Sequence, residues 1–307
     1  MLAEITWDAR ASVEDVARRL GLRSHLVRSA ISRLAEMVEY LPLCWTNPYL
    51  LGDTPNRVFL SLDCSKAKRR AALLKRLEEL PQVTWMTGLM GRYQLGLAVR
   101  AGGQKELHDL FLELDQDFGD VVLERHISAI LQLSQFVPWL AHIGPGRRRC
   151  WQYQVARPHP GIDEVDRRLL DILRQDPLAS VAAVGKAAGV PASTVGYRLG
   201  QLQSSGVIIG FALSYDERRI GGEGFVLSVA TNGLGGSGFD DFFSLAQRHA
   251  NVCWIARMLG KWEVELGVVV YDVDELDMLM RDLYEAGQGS VRDVSVHSIG
   301  RVYKDKE

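Results

Sequence analysis

A chain of 307 residues is too long for one ordinary core and fits two to four small domains, which its 47% hydrophobic content can fill. The net charge of −2 divides into +3 over residues 1–150 (20 Lys+Arg, 17 Asp+Glu) and −5 over 151–307 (16 and 21), so bulk charge does not favour nucleic acid and any grip on it must come from local patches. Membrane and secretion classes are disfavoured. No apolar run approaches the roughly 20 residues of a spanning helix. The opening MLAEITWDARASVEDVARRL lacks the basic-then-apolar order of a secretion signal. Cys44, Cys64, Cys150 and Cys253 are scattered, with no zinc-like grouping, so reduced thiols in a cytoplasmic protein are expected, with no metal and no cofactor.

In chain order, VEDVARRLG and SHLVRSAISRLAE read as two helices around Gly21 and Leu22-Arg23. Val27, Ile31 and Leu34 follow helical spacing and should face inward; Ser24, His25, Arg28, Ser29, Ser32 and Arg33 should face outward. Residues 15–36 hold five arginines against two acids, a local +3. The helix ahead of them is expected to be short. After this head (1–52) come RVFLSL, a basic helix near 66–79, VTWMTGLM, YQLGLAVR, a helix near 104–117 and VVLERHISAIL. That is a βαββαβ, ferredoxin-like order over 56–136. Residues 137–161, with Pro138, Pro145, Pro158 and Pro160, read as linker. Its cluster Arg147–Arg149 with Trp151 and Tyr153 could touch phosphates or stack on a base, although exposed arginines are more often merely solvated.

A second head, 162–222, begins with Asp163 capping a helix over Glu164–Gln175. Ser180 precedes a short helix ended by Gly189. Ala192 or Ser193 caps a third, STVGYRLGQLQSS. Val195, Leu199 and Leu202 then face the core, while Ser193, Thr194, Tyr197, Arg198 and Gln201 face outward, a set suited to phosphate and base-edge contacts. Helix, helix, turn, helix is the helix-turn-helix pattern, and VIIGFALSYD would be its wing, lying on DNA backbone. A second ferredoxin-like unit, 223–307, follows with FVLSVA, a helix near 238–249, VCWIARML, WEVELGVVV, DVDELDMLMRDLYEA and VRDVSVHSI. GLGGSG (233–238) is no phosphate loop, because no Gly-Lys-Ser/Thr follows.

The halves repeat. Ala11-Ser12-Val13 returns as Ala179-Ser180-Val181, an offset of 168, and VTWMTGLMGRYQLGLAV (83–99) aligns without a gap to VCWIARMLGKWEVELGV (252–268), an offset of 169. Two copies of one α+β unit are therefore expected, with free sheet faces pairing face to face inside one chain.

The run from Asp163 to Gly221 resembles the DNA-binding half of the leucine-responsive/asparagine-regulator (Lrp/AsnC) family, and 252–302 resembles its amino-acid-sensing half. The resemblance covers 162–303 well and 11–133 more loosely. It implies a transcription regulator in tandem two-copy form, with double-stranded DNA and a small-molecule effector, often an amino acid, as partners. It also implies a pseudo-dimer within one chain that forms homo-oligomers. The family's effector hairpin becomes Gly91-Arg92-Tyr93-Gln94 and Gly260-Lys261-Trp262-Glu263, so Gly91, Tyr93, Gln94, Gly260, Trp262 and Glu263 are the candidate effector residues. Gln94 and Glu263 stand where the family usually has aspartate; without an effector role these are plain hairpin turns.

The same layout resembles sirohaem decarboxylases, an enzymatic alternative in which His126, His297, Arg92 and Lys261 would contact the metal or propionates of an iron tetrapyrrole. The histidines alone read as packing residues at similar points of the two final strands. No nucleophile elbow or H-E-x-x-H is present, and a non-enzyme is the leading expectation.

Overall fold

The computed structural model describes residues 2–37, 40–136, 149–159, 161–232 and 237–306. The readings made for Pro138, Pro145, Arg147, Arg148, Pro160 and residues 233–236 lie outside them.

The first head has α1 (Leu2–Trp7), α2 (Val13–Leu20), α3 (Ser24–Met37) and the strand β1 (Tyr40–Thr46). Its companion has β2 (Thr54–Leu62), α4 (Ala67–Glu79), β3 (Val83–Met90), β4 (Leu95–Ala101), α5 (Gln104–Phe118) and β5 (Val122–Phe136). A strand β6 (Cys150–Gln154) precedes the second head, α6 (Glu164–Gln175), α7 (Val181–Ala188), α8 (Ala192–Ser204) and β7 (Ile208–Tyr215). The second companion is β8 (Glu223–Thr231), α9 (Ser237–Arg248), β9 (Val252–Leu259), β10 (Val264–Val270), α10 (Val273–Gly287) and β11 (Val291–Asp305).

The heads form for local reasons. Asp163 accepts from the Asp166 amide while the Asp166 side chain accepts from the Asp163 amide, a reciprocal cap on α6. Ser12 and Ser180 cap α2 and α7 in the same way, each accepting from the amide three residues on. α8 starts at Ala192 with Pro191 (φ −58°) at the cap position and no side-chain cap, so neither Ala192 nor Ser193 is the cap. The cores are unequal. Leu169, Leu170, Leu173, Val195, Leu199 and Leu202 are all buried in the second head. The first buries Ile5, Val16, Ala17 and Val27, leaving Leu22 and Leu26 each 44% exposed and Ile31 and Leu34 only half-buried. At about 1.5–3 kcal/mol per fully buried large side chain, the six-residue α1 leaves the first head the less stable one.

β1 and β7 correct the wing expectation. They pair antiparallel with each other, Leu43 opposite Ala212 and Cys44 opposite Phe211, in a ribbon shared by the two heads rather than two separate wings on DNA. Each strand also packs against the opposite head: Cys44 joins the core of the second, and Leu213 packs on that of the first. Arg10 adds a further tie, donating to Pro177 O (2.8 Å) and Ala179 O (2.9 Å) with its guanidinium over Phe211.

The two companions do more than lie face to face. Their strands run β2-β4-β3-β11-β8-β10-β9-β5, and β5 returns to β2, so eight strands close into a barrel. The seams are β3–β11 and β5–β9, equivalent by the repeat. Closure follows from strand length. β5 and β11, 15 residues each, outrun their own sheets, and their free N–H and C=O groups find partners in the other copy. The end of β5 also pairs with β6, which lies in the segment read as linker. Helices α4 and α5 cover one outer wall and α9 and α10 the other. All of β4 is therefore buried, as expected of a strand covered on both faces.

Candidate functional site

On α8, Ser193, Tyr197 and Gln201 are exposed and Thr194 is half-buried. Tyr197 is 68% exposed, its hydroxyl accepting from Gln201 Nε2 at 2.8 Å. Arg198 departs from the outward set. Its Nη1 reaches Asp163 (2.8 Å) and Asp166 (3.0 Å), holding the recognition helix to the cap of α6. The amide of Asp166 and the Arg198 guanidinium hold the Asp163 carboxyl below its ordinary value. On α3, His25, Arg28, Ser29 and Arg33 are exposed and Ser24 is half-buried. Arg28 lies 3.4 Å from Glu14, an exposed pair that leaves it able to reach a phosphate. Neither ridge packs on the protein's own sheets.

The hairpin residues behave differently. Tyr93 and Trp262 are buried, 0% and 1% exposed, and point into the barrel. Gln94 Oε1 accepts from the Leu62 amide at 2.9 Å, and Glu263 Oε2 accepts from the Thr231 amide at 2.8 Å. These are equivalent contacts at equivalent positions: each side chain ties its hairpin to the end of its unit's first strand. Gly91 has φ +120°, the left-handed region that favours glycine. Gly260 is not such a residue; a Cβ there would lie 2.1 Å from Ser128 Oγ, so close approach is what demands glycine.

His126 and His297 are not at equivalent points. The offset of 169 places Ser295 opposite His126 and Ser128 opposite His297. Both rings nevertheless meet the hairpin aromatics: Tyr93 lies 5.4 Å from His126 and 5.6 Å from His297, and Trp262 5.6 and 6.5 Å. His126 contacts Glu124 at 2.9 Å, which also holds Arg92. His297 is 3% exposed and neither ring nitrogen has a hydrogen-bond partner among the described residues; burial, with Lys261 nearby, lowers its pKa. Lys261 sits over Trp262 at 4.6 Å. Among the described residues no group of three His, Cys, Asp or Glu could hold a metal ion. Phe59, Tyr93 and Trp262 pack around the two histidines, so a tetrapyrrole would have to part these rings to reach them.

The linker aromatics are also internal. Trp151 and Tyr153 are buried, Trp151 stacking on Trp7 at 4.8 Å, and Arg149 pairs with Glu4, so they are not a free base-stacking surface. Sequence reasoning passed over the polar centre of the barrel. There Arg57 and Glu265 form a buried ion pair, with the Arg57 guanidinium 4.5 Å from Trp85 and 5.1 Å from Trp254. The signal was available: Trp85 and Trp254 recur at the repeat offset.

No helix among the described residues is long and apolar enough to cross a membrane. The pattern that defines the AsnC-type helix-turn-helix domain matches residues 162–203. An uncharacterized HTH-type transcriptional regulator of Pyrococcus horikoshii is 31% identical over 147 residues, 47% of this chain and 82% of that protein. The DNA-binding transcriptional activator DecR of Escherichia coli is 26% identical over 129 residues, 42% of this chain and 85% of its own. Among solved structures the sirohaem decarboxylase NirDL superposes over 99% of this chain and 91% of its own, with TM-score 0.65 and 12% identity, a likeness of fold alone. By its second head and its relatives, the chain belongs to the Lrp/AsnC family of helix-turn-helix transcriptional regulators, in a form that carries the family's unit twice.

Proposed function

We propose that this chain is a DNA-binding transcriptional regulator whose two heads read an asymmetric operator and whose output responds to a small-molecule effector. The observation that carries the reading is the exposed polar ridge of α8, on a helix whose sequence matches the AsnC-type domain. Ser193, Thr194, Tyr197 and Gln201 reach the major groove, with Arg198 acting chiefly as the anchor of the helix. Ser24, His25, Arg28, Ser29 and Arg33 form the corresponding ridge of the first head. The division into head, companion, linker, head and companion at 1–52, 56–136, 137–161, 162–222 and 223–307 is part of the proposal, as is assembly of several chains through the companions. A gel-shift on the DNA upstream of the gene, repeated at rising salt, tests it. Binding that weakens with salt and with Tyr197→Ala is expected. Absence of any salt-sensitive shift sinks the reading, and footprinting that shows both halves of a perfect palindrome equally protected by one chain sinks the asymmetric operator.

The fold likeness to a sirohaem decarboxylase, together with the meeting of His126 and His297, favours a second reading as a tetrapyrrole-binding protein. It requires the rings around His297 to part. A shift of the sirohaem absorption band on mixing with the protein, lost in His297→Phe, would support it; a spectrum identical to that of free sirohaem removes it.

A further inference from the structure

Between the head ribbon and the end of the barrel lie two cavities, of about 130 Å³ and about 380 Å³, that share Gln135, Ser214 and Asp305 in their walls. The smaller straddles the internal pseudo-twofold. Its lining includes Trp85 with its repeat equivalent Trp254, Phe136 with Asp305, and Trp45 with Leu213. A site on the axis of a true dimer would present the same residues twice. Here duplication has let the two walls diverge, so one ligand can be held in one orientation. We propose that these two cavities form a single binding site per chain for a neutral planar heteroaromatic molecule bearing a ring N–H, the class of indoles and purines. The proposal rests on the effector-responsive reading above and moves the effector away from the hairpins.

The chemistry points to that class. Trp45, Trp85, Trp151 and Trp254 line the smaller cavity, and tryptophan walls favour a flat ring. The arginines in the walls already have partners: Arg57 pairs with Glu265 and Arg218 with Asp216, so an anionic ligand would have to displace a carboxylate. At the collar between the cavities, the Gln135 carboxamide and the Ser214 hydroxyl make no hydrogen bond among the described residues. The carboxamide offers a donor and an acceptor side by side, matching a heteroaromatic edge. The Asp305 carboxylate, with lone pairs for several donors, can accept from the ring N–H. The larger cavity, walled by Tyr215, Val269, Ile299 and Val302, exceeds the roughly 300 Å³ at which small-molecule pockets begin and has room for a ring substituent.

The position also explains a response. One wall is the ribbon that joins the heads, the other the barrel, so occupancy favours arrangements in which the two stay apposed and shifts the population of head spacings.

Isothermal titration of the full chain with indole and with adenine, without DNA, is the test. At least one is expected to bind with one site per chain. Ser214→Trp, which fills the collar, should abolish binding, and Gln135→Leu should weaken it about tenfold. Gln94→Ala and Glu263→Ala should leave it unchanged. Binding by neither probe, two sites per chain, or a folded Ser214→Trp that binds like wild type overturns the proposal. If circular dichroism shows Ser214→Trp unfolded, Gln135→Leu decides alone, and unchanged affinity there overturns it. A gel-shift without ligand reports separately on DNA binding, so the two readings fail independently.

Discussion

Arg57 Nε lies 2.6 Å from Glu265 Oε1, and with 3% and 0% of their side chains exposed these two residues tie one copy to the other inside the barrel. Their repeat equivalents are Val226 and Gly96, so the pair has no symmetric mate. Removing one partner leaves the other's charge buried, at a cost of about 3–5 kcal/mol. Arg57→Ala and Glu265→Ala should each lower the unfolding free energy obtained from urea melts by that amount, while Arg57→Met with Glu265→Met recovers most of it. A Glu265→Ala chain as stable as wild type would show that the pair does not join the copies.

The hairpin ties of Gln94 and Glu263 make their own forecast. Each accepts from a strand-end amide, and leaving such a group unsatisfied costs about 1–3 kcal/mol. Gln94→Ala and Glu263→Ala should both reduce the melting temperature. If instead stability holds and an effector response disappears, the effector role expected from the family's hairpin is restored.

On the second head, adjacent residues of α8 should separate cleanly. Tyr197→Ala is expected to reduce DNA affinity with the melting temperature unchanged, whereas Arg198→Ala should destabilise the head through loss of Asp163 and Asp166. The folded-state pKa of Asp163 is depressed, so its contribution is present above the unfolded value of about 3.9 and lost as pH falls through the folded one. Asp163→Asn keeps the capping acceptor but not the ion pair, and should flatten that acid limb in melts between pH 5 and pH 2.

His297 titrates in the opposite chemical sense with a similar outcome. Its folded pKa lies below the ordinary 6.5, so below that pH the unfolded chain takes up a proton that the folded chain refuses. Stability should fall as pH drops from about 6.5 to the folded value, by up to about 1.4 kcal/mol per pH unit. His297→Phe should remove that slope; an identical pH profile in the variant would mean that the slope arises elsewhere.

The burial of Cys44 raises its thiol to about 11, and it is 5% exposed, whereas Cys64 is exposed. Alkylation at pH 8 should modify Cys64 rapidly and Cys44 only on unfolding, as peptide mapping can read.

Much of this architecture is local and therefore legible in one dimension. Gly21 and Gly189, Ser12 and Ser180, and the spacing of Val195, Leu199 and Leu202 reveal the helix-turn-helix heads, because caps and apolar period depend on residues within a few positions. The repeat offset and the βαββαβ order are equally visible, as is the short α1. Other relationships join residues far apart, and no periodicity carries them: the pairing of β1 with β7, the closure of β5 on β9, and the drawing of Arg198 inward to Asp163.

Sequence by itself determined that the chain carries two copies of one unit and where the helices of the helix-turn-helix heads run. Tertiary structure alone decided that Tyr93 and Trp262 lie inside, that His126 and His297 converge from non-equivalent positions, and that a cavity opens between ribbon and barrel. The physical reason is that a side chain's facing follows from its own strand or helix, whereas what it faces depends on strand pairings between the two copies, separated by more than a hundred residues.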